Sequence, residues 1–367
     1  MRLEPAAARA FAPVEAAIAE GRIPGAVLGI ADALGDRAII CSGQAQVEPA
    51  PVVMRRETVF DLASLTKVIF TTTTILRHAE EGRLALDQSL SELIPDLRQY
   101  DLEAAERALT IRQCLTHQTF LPAVEPLYTY GHDPMTLRAF VLQRAWRQGP
   151  PVYSDINFIL LGIAIERLTR KSLGQQPLDS GFTFSPDPNA CATTEYCTWR
   201  DRMLRGEVHD ENAFALGGAS GHAGLFGAID AVLAFATAML DGTALRPQSL
   251  GQLRARQAPQ RTLGWEMKHE GWSGGALCSD ETIGHTGFTG TGLWIDFHRG
   301  IAWSLLTNRI HPTRHFESGI SQLRRAVGDR VIEHVDAMPR CDGQLGPSSR
   351  SQVEPLASGD PLIPRNP

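Results

Sequence analysis

Apolar residues recur with helical spacing at both ends of the chain. Phe11, Val14 and Ile18 fall on one face of a helix predicted over residues 8–20, and Gly21 is a favourable stop for it. Near the other end, the apolar residues of a second pattern lie three or four positions apart: Ile320, Leu323, Val327 and Val331. Amphipathic helices are therefore predicted near both ends.

Strand-like segments form two blocks that are far apart in the sequence. In each block, short runs rich in β-branched and other apolar residues alternate with turns that contain glycine. The predicted strands are 23–31 and 37–41 in the first block, and 282–285, 290–296 and 301–307 in the second. Between the blocks the signals are mainly those of helix and loop. The clearest helices here are predicted over residues 64–81 and 155–169.

The two strand blocks can pair only if the middle of the chain is an insertion. We therefore predict a mixed α/β (α+β) fold, in which N- and C-terminal helices flank one antiparallel sheet. Residues 1–83 and 206–338 would form this discontinuous sheet domain, and residues 84–205 an all-helical lobe inserted into it. A cleft between two such parts is a common ligand site. Residues 339–367 are rich in Pro, Ser and Gly and predict a flexible tail.

The composition is that of a globular protein and narrows the range of partners. The 367 residues are 43% hydrophobic and 21% charged, with a net charge of −6. This mild acidity argues against nucleic-acid binding, which favours a basic face. The start of the chain lacks the apolar core of a secretory signal, and no run of about 20 apolar residues predicts a membrane span. We expect a cytoplasmic protein with no membrane partner and with reduced cysteines, and its oligomeric state stays open.

The strongest chemical signal is the S-x-x-K motif formed by Ser64 and Lys67. Residues at positions i and i+3 share one face of a helix. A neutral lysine there can take the serine proton, and a charged one can stabilise a neighbouring base. Most matches to so short a motif are surface features. Here, however, apolar residues surround the pair, and a lysine in such a run needs a partner.

A second signal is Tyr153-Ser-Asp155, just before the predicted helix 155–169. Ser154 or Asp155 could simply cap that helix, with Tyr153 as a packing residue. Alternatively, Tyr153 is a general base or proton relay. A tyrosine does this at neutral pH only when nearby cations stabilise its phenolate.

The third signal is Gly284-His-Thr-Gly-Phe288, on a predicted strand of the second block. Its histidine could be an ordinary strand residue beside a turn. The glycines would also let a substrate approach the strand backbone closely.

Taken together and in this order, the three motifs resemble the serine β-lactamase-related family, with its S-x-x-K, Y-x-N and [K/H]-T-G elements. That family includes class C β-lactamases, D-Ala-D-Ala carboxypeptidases, penicillin-binding-protein-like hydrolases and β-lactamase-like esterases. Further matches are Leu115-Thr-His117 and Leu305-Leu-Thr-Asn308. The resemblance covers about residues 15–335 and implies a β-lactamase/transpeptidase-like fold.

The resemblance also implies roles. Ser64 would be the acylated nucleophile, Lys67 would assist its deprotonation, and Tyr153 would be the base for acylation and the acid toward the leaving group. The backbone N–H groups of Ser64 and Phe288 would form the oxyanion hole. The substrate-binding residues would be Asp155, His285, Thr286 and Gly287. No cofactor or metal is implied.

Two departures from the family pattern bear on the substrate. Asp155 stands where many relatives have Asn, and near Lys67 its charge would keep the lysine protonated. His285 stands where many β-lactamases have lysine, and a neutral histidine holds a carboxylate less strongly. Both changes favour an esterase-like serine hydrolase with weak or no β-lactamase activity, acting on a small ester, amide or short peptide.

Other interpretations stay open. A D-aminoacyl peptidase, DD-carboxypeptidase or muropeptide-processing hydrolase is the alternative enzyme. A non-catalytic, penicillin-binding-like sensor on the same scaffold is the alternative from another class. The run His209-Asp210-Glu211 has metal-ligand types, but neighbours in one loop rarely converge on one ion, so we expect no metal there. His222 is expected to brace its loop.

Overall fold

The computed structural model describes residues 3–338. The helices are α1 (Glu4–Ala19), α2 (Thr73–Glu80), α3 (Leu90–Leu93), α4 (Ile111–Leu115), α5 (Pro134–Gln143), α6 (Asp155–Thr169), α7 (Glu211–Ala215), α8 (Ile229–Leu240), α9 (Pro247–Arg254) and α10 (Ile320–Ala337). The strands are β1 (Gly25–Asp32), β2 (Arg37–Gln46), β3 (Val52–Val53), β4 (Phe60–Asp61), β5 (Phe182–Thr183), β6 (Thr193–Cys197), β7 (Arg202–Arg205), β8 (Phe226–Gly227), β9 (Glu266–Met267), β10 (Ile283–Thr286), β11 (Gly292–Asp296) and β12 (Ile301–Thr307).

The central sheet joins the two strand blocks, as predicted. Its seven strands run in the order β3-β2-β1-β12-β11-β10-β9, and neighbouring strands are antiparallel. The pairing of β1 with β12 therefore brings the first and last strands of residues 3–338 side by side in the middle of the sheet. The predicted mixed α/β fold is confirmed.

The side chains of β1 alternate between the two faces of the sheet, and different helices cover each face. Leu28 and Ile30 join an apolar cluster with residues of α1 and α10, whereas Val27 joins a cluster that includes α8. Successive strand residues point to opposite faces, so β1 is buried on both sides. Gly29 lets α8 lie close, because a Cβ atom there would meet Leu233 Cδ1 at 2.7 Å.

Several boundaries differ from the sequence-based expectations. Helix α1 begins at Glu4 rather than at residue 8, because Pro5 is well suited to a first turn. The segment 84–205 is not all-helical, since β6 and β7 form a hairpin within it and β5 joins a small sheet with β4 and β8.

The segment predicted as one helix over residues 64–81 contains three types of helical turn. A 3₁₀ turn (Ala63–Leu65) and wide π turns (Lys67–Thr72) precede α2. The hydroxyls of Thr72 and Thr73 donate to carbonyls five residues back, at 2.7 and 3.0 Å, which fits the wider turns. Such π turns are frequent at functional sites.

Contacts group the described chain up to Asp336 into one compact unit. The separation of a sheet domain (1–83 and 206–338) from a lobe (84–205) stays a prediction. The predicted tail 339–367 lies outside the described residues. Among residues 3–338, no helix has both the length and the hydropathy needed to cross a bilayer.

Candidate active site

A buried aspartate shapes the turn that carries Ser64. Asp61 accepts the backbone N–H of Ala63 at 2.8 Å through Oδ1 and that of His209 at 2.6 Å through Oδ2. Ala63 has a φ of +48°, a left-handed conformation that is uncommon for a residue with a side chain. Burial raises the pKa of Asp61 although these N–H groups oppose the effect. The carboxylate of Asp61 thus holds the strained turn next to Ser64.

Lys67 lies behind the wall of the cleft, with a fully buried side chain. Its Nζ atom lies 3.0 Å from Ser64 Oγ, 3.1 Å from the carbonyl oxygen of His222 and 2.8 Å from Asp155 Oδ1. Burial lowers the pKa of Lys67, but Asp155 and then Tyr153 raise it by more, so the pKa lies above its ordinary value. Lys67 is therefore an ammonium, as expected from the aspartate at position 155.

Two cations lie near the ring of Tyr153. Lys67 Nζ and the guanidinium carbon of Arg261 each lie 5.1 Å from its ring centroid. The ring of His117 lies 4.6 Å away, and His117 Nδ1 accepts the backbone N–H of Ser154 at 3.0 Å. These contacts hold the segment that carries Tyr153 and place two positive charges near its ring.

His285 is a buried, neutral residue one position before the end of β10. Burial, and then the charges of Lys67 and Arg261, hold its pKa well below the ordinary range. Its Nδ1 lies 3.0 Å from the carbonyl oxygen of Thr286, so the neutral ring donates there. A neutral His285 can hydrogen-bond a substrate but adds no positive charge to the cleft.

Gly287 permits a close approach between two parts of the chain. A Cβ atom at this position would meet Thr291 Oγ1 at 2.1 Å and the carbonyl oxygen of Leu62 at 2.6 Å. The glycine therefore lets the strand end lie against the turn that precedes Ser64, and the approach of a substrate to this strand stays a prediction.

Two threonines connect the loop after β10 to the Ser64 turn. Thr289 Oγ1 donates to the carbonyl of Asp61 at 2.8 Å, and Thr291 Oγ1 donates to that of Leu62 at 3.1 Å. The Phe288 ring, 47% exposed, stacks on His209. Within residues 3–338, the backbone N–H of Phe288 has no hydrogen-bond acceptor. This group is thus available to a ligand, and the oxyanion hole formed with the Ser64 N–H stays a prediction.

These elements border a cleft of about 630 Å³. Six of the catalytic and binding residues implied by the resemblance line it: Ser64, Tyr153, Asp155, His285, Thr286 and Phe288. Lys67 and Gly287 instead lie behind its wall, where they support Ser64 and the loop.

Sequence reasoning missed two arginines in the cleft. Arg261 precedes β9, and its Nη1 atom is buried with no hydrogen-bond partner among the residues described. Arg314 donates to Glu195 and to Glu211 Oε1, the latter at 2.6 Å. Both arginines lie in irregular segments that contain no recognised motif, so no local sequence signal distinguishes them from surface arginines.

The acidic and histidine residues near Lys67 have defined partners. His222 lies 2.9 Å from Asp210 Oδ1 through Nε2 and 2.9 Å from Ser220 Oγ through Nδ1, which confirms its bracing role. Burial raises the pKa of Asp210. His222 and Lys67 have the opposite and larger effect, so this pKa lies below its ordinary range. Asp155, Asp210 and His222 have ligand-type atoms within 4.8 Å of one another. Lys67 already supplies a positive charge to this group.

The buried Lys67 thus lies within hydrogen-bond distance of a cleft serine, and Tyr153 lies beside both residues. The family described as Beta-lactamase matches residues 11–327. The chain belongs to this family of serine hydrolases. N-acetylmuramyl-L-alanine amidase of Bacillus subtilis (strain 168) is 31% identical over 313 residues, which cover 71% of this chain and 70% of that protein.

Two further comparisons agree. A protein of Escherichia coli (strain K12) named for D-alanyl-D-alanine carboxypeptidase activity is 28% identical over 344 residues, or 78% of this chain and 79% of that one. The fold is similar to that of EstCE1, described as a hydrolase with promiscuous acyltransferase activity. The TM-score is 0.68 at 24% identity, and the match covers 89% of this chain and 98% of EstCE1.

Proposed function

We propose that the protein hydrolyses a small ester, amide or short peptide through an acyl-enzyme on Ser64, with esterase-like activity and weak or no β-lactamase activity. The observation that carries the proposal is the 3.0 Å contact between Ser64 Oγ and a charged Lys67 at the edge of the cleft. A cytoplasmic place of action is part of the proposal, and cell fractionation tests it.

The charge state of Lys67 assigns the proton transfers to Tyr153. An ammonium cannot accept a proton, so Tyr153 acts as the base that takes the Ser64 proton while Lys67 stabilises both oxygens. Ser64 Oγ then attacks the substrate carbonyl, and the N–H groups of Ser64 and Phe288 stabilise the tetrahedral oxyanion. Tyr153 returns the proton to the leaving oxygen or nitrogen. A water molecule, deprotonated by Tyr153, then releases the acyl group and Ser64 regains its proton.

Hydrolysis of p-nitrophenyl butyrate, followed through burst and steady state, tests the proposal. We expect steady turnover by the wild type and a loss of at least about 1,000-fold in Ser64→Ala, since the residual rate then comes from binding and the oxyanion hole alone. Ser185→Ala, at an exposed serine outside the cleft, is the control and should keep full activity. Equal rates in wild type and Ser64→Ala would exclude Ser64 as nucleophile. A burst of one equivalent without turnover would favour the sensor.

Arg261 favours the peptidase as a second candidate. A guanidinium is costly to bury without a partner, and its planar donors match a carboxylate. Arg261 Nη1 is buried without a partner among the described residues, and the group lines the cleft beside Tyr153. A peptide with a free carboxylate next to the scissile bond would supply that partner. The carboxypeptidase name of the Escherichia coli relative supports the same substrate class.

Release of D-alanine from a D-Ala-D-Ala peptide, compared with ester turnover, decides between the two candidates. If the peptidase is right, Arg261→Gln raises KM for the peptide by at least about 10-fold and leaves KM for the uncharged ester within twofold. Arg254→Gln removes an exposed arginine paired with Glu281 and is the control. Absence of peptide cleavage, or equal effects on both substrates, would leave the esterase as the activity.

A further inference from the structure

A buried arginine of α10 contacts the loop that carries Phe288. Arg324 Nη2 donates to the carbonyl oxygen of Gly287 at 2.9 Å and to that of Thr291 at 2.7 Å. The residue is 7% exposed. Arg324 forms no salt bridge with any carboxylate of residues 3–338. Its guanidinium instead donates hydrogen bonds to these two backbone carbonyls.

Burying such a charge is unfavourable and calls for a reason. Desolvation lowers the pKa of Arg324, with Arg309 adding to the effect. Replacing a buried charged group with an apolar one of similar volume is often neutral or stabilising, so stability alone does not account for the residue. Both carbonyls also accept hydrogen bonds within the loop: Gly287 N–H donates to the Thr291 carbonyl at 2.8 Å, and Gly290 N–H donates to the Gly287 carbonyl at 3.1 Å.

The carbonyl of Gly287 and the N–H of Phe288 belong to one peptide unit. This bond is trans, so its C=O and N–H point in opposite directions. A guanidinium on the carbonyl therefore lies on the far side of the peptide from whatever the N–H binds. A hydrogen bond at the carbonyl polarises the unit and strengthens the N–H as a donor, by roughly 10–30% in condensed-phase estimates.

We propose that Arg324 is a positioning residue for the oxyanion hole, which orients and polarises the 287–288 peptide so that the Phe288 N–H binds the tetrahedral oxyanion. This inference rests on the proposed acyl-enzyme at Ser64 and deepens it. The arginine acts through the peptide and does not contact the substrate. Arg309 supports the neighbouring unit, where its Nε donates to the carbonyl of Phe288 at 3.0 Å.

A boronic acid separates transition-state binding from substrate binding. With phenylboronic acid, Ser64 Oγ adds to boron, its proton passes to the base, and one boron hydroxyl takes the oxyanion position. Loss of a direct oxyanion donor lowers kcat by about 100- to 1,000-fold. Since Arg324 only supports a donor, we expect Arg324→Gln to lower kcat for p-nitrophenyl butyrate and the boronate affinity by a similar factor of about 10, with KM within twofold.

Three further variants make the result decisive. Arg324→Lys keeps the charge but cannot hold both carbonyls, so about a threefold loss of boronate affinity is expected. If Arg324→Gln does not fold, this variant decides alone. Arg325→Gln, on the same helix and bonded to the distant carbonyl of Gly271, is the matched control and should equal the wild type. Ser64→Ala should lose boronate affinity entirely.

The outcomes distinguish this inference from the proposed function. If Ser64→Ala binds the boronate as the wild type does, the acyl-enzyme assignment is wrong. If Ser64→Ala loses binding while the folded Arg324 variants keep wild-type affinity and kcat, only the role of Arg324 is wrong. A rise in KM at unchanged kcat and boronate affinity would also overturn it, because that pattern indicates a general change of the cleft.

Discussion

Replacing Asp155 with Asn removes the carboxylate that lies 2.8 Å from Lys67 Nζ while keeping the size of the side chain. With an effective dielectric constant of about 20, two unit charges at this distance attract by about 6 kcal/mol, which is an upper bound. Removing one partner of a buried pair usually costs about 3–5 kcal/mol. We expect a loss of this size in the free energy of unfolding at pH 7, and a pKa of Lys67 below its ordinary value.

The pH dependence separates this cause from a simple packing defect. In the wild type, the folded pKa of Lys67 lies above the unfolded one. Its stabilising contribution is therefore complete below the unfolded pKa and is lost only as pH rises through the folded pKa. In Asp155→Asn we expect the folded pKa of Lys67 to lie below the unfolded one. Between the two pKa values the unfolded chain binds a proton that the native state does not, so stability rises by about 1.4 kcal/mol per pH unit.

Urea unfolding at pH 6, 7, 8 and 9, followed by tryptophan fluorescence, measures the effect. The difference between wild type and Asp155→Asn should be largest at low pH and should narrow as pH rises. Asp179→Asn is the matched control, because it breaks an ion pair with Arg77 whose members are about 40% exposed. That change should cost less than about 1 kcal/mol at every pH. An equal loss for Asp155→Asn at all four pH values would refute a charge held by Asp155.

Three further predictions concern the surroundings of the cleft. Gly287→Ala should lower kcat/KM by at least about 10-fold in steady-state assays, because its Cβ would meet the carbonyl oxygen of Leu62 at 2.6 Å; wild-type activity would contradict this packing. The imidazole resonances of His285 should show no titration near the ordinary histidine pKa of 6.5, because burial and then Lys67 hold the pKa of His285 well below that value; titration near 6.5 would argue against it. Burial raises the pKa of Glu195, but His209 and then Arg314 have a larger, opposite effect and lower it to about 2. The ionised Glu195 therefore contributes about 3 kcal/mol to the free energy of unfolding above its unfolded pKa, and this contribution is lost as pH falls through about 2. Glu195→Gln should therefore flatten acid unfolding below pH 4, and an unchanged acid limb would refute this.

Local sequence patterns were sufficient for much of the fold. The limits of α6 were predicted to the residue, and the late strands within two residues, because hydrophobic periodicity and glycine turns act over a few neighbours. The S-x-x-K motif and the tyrosine were likewise visible in the sequence, since each is a short pattern. The predicted all-helical lobe was wrong in its hairpin β6–β7, because short, partly exposed strands carry weak periodicity.

The tertiary structure alone decided how charge is distributed around Ser64. Asp155 and Lys67 are 88 positions apart, and their contact depends on how α6 packs against the turns that follow Ser64. Arg261 and Arg324 lie in no motif, and folding brings one to the cleft and the other to the far side of the Phe288 peptide. Sequence patterns report the local backbone and the types of the reactive groups. Protonation states and the direction of backbone dipoles depend on burial and on distant charges, which only the packed chain brings together.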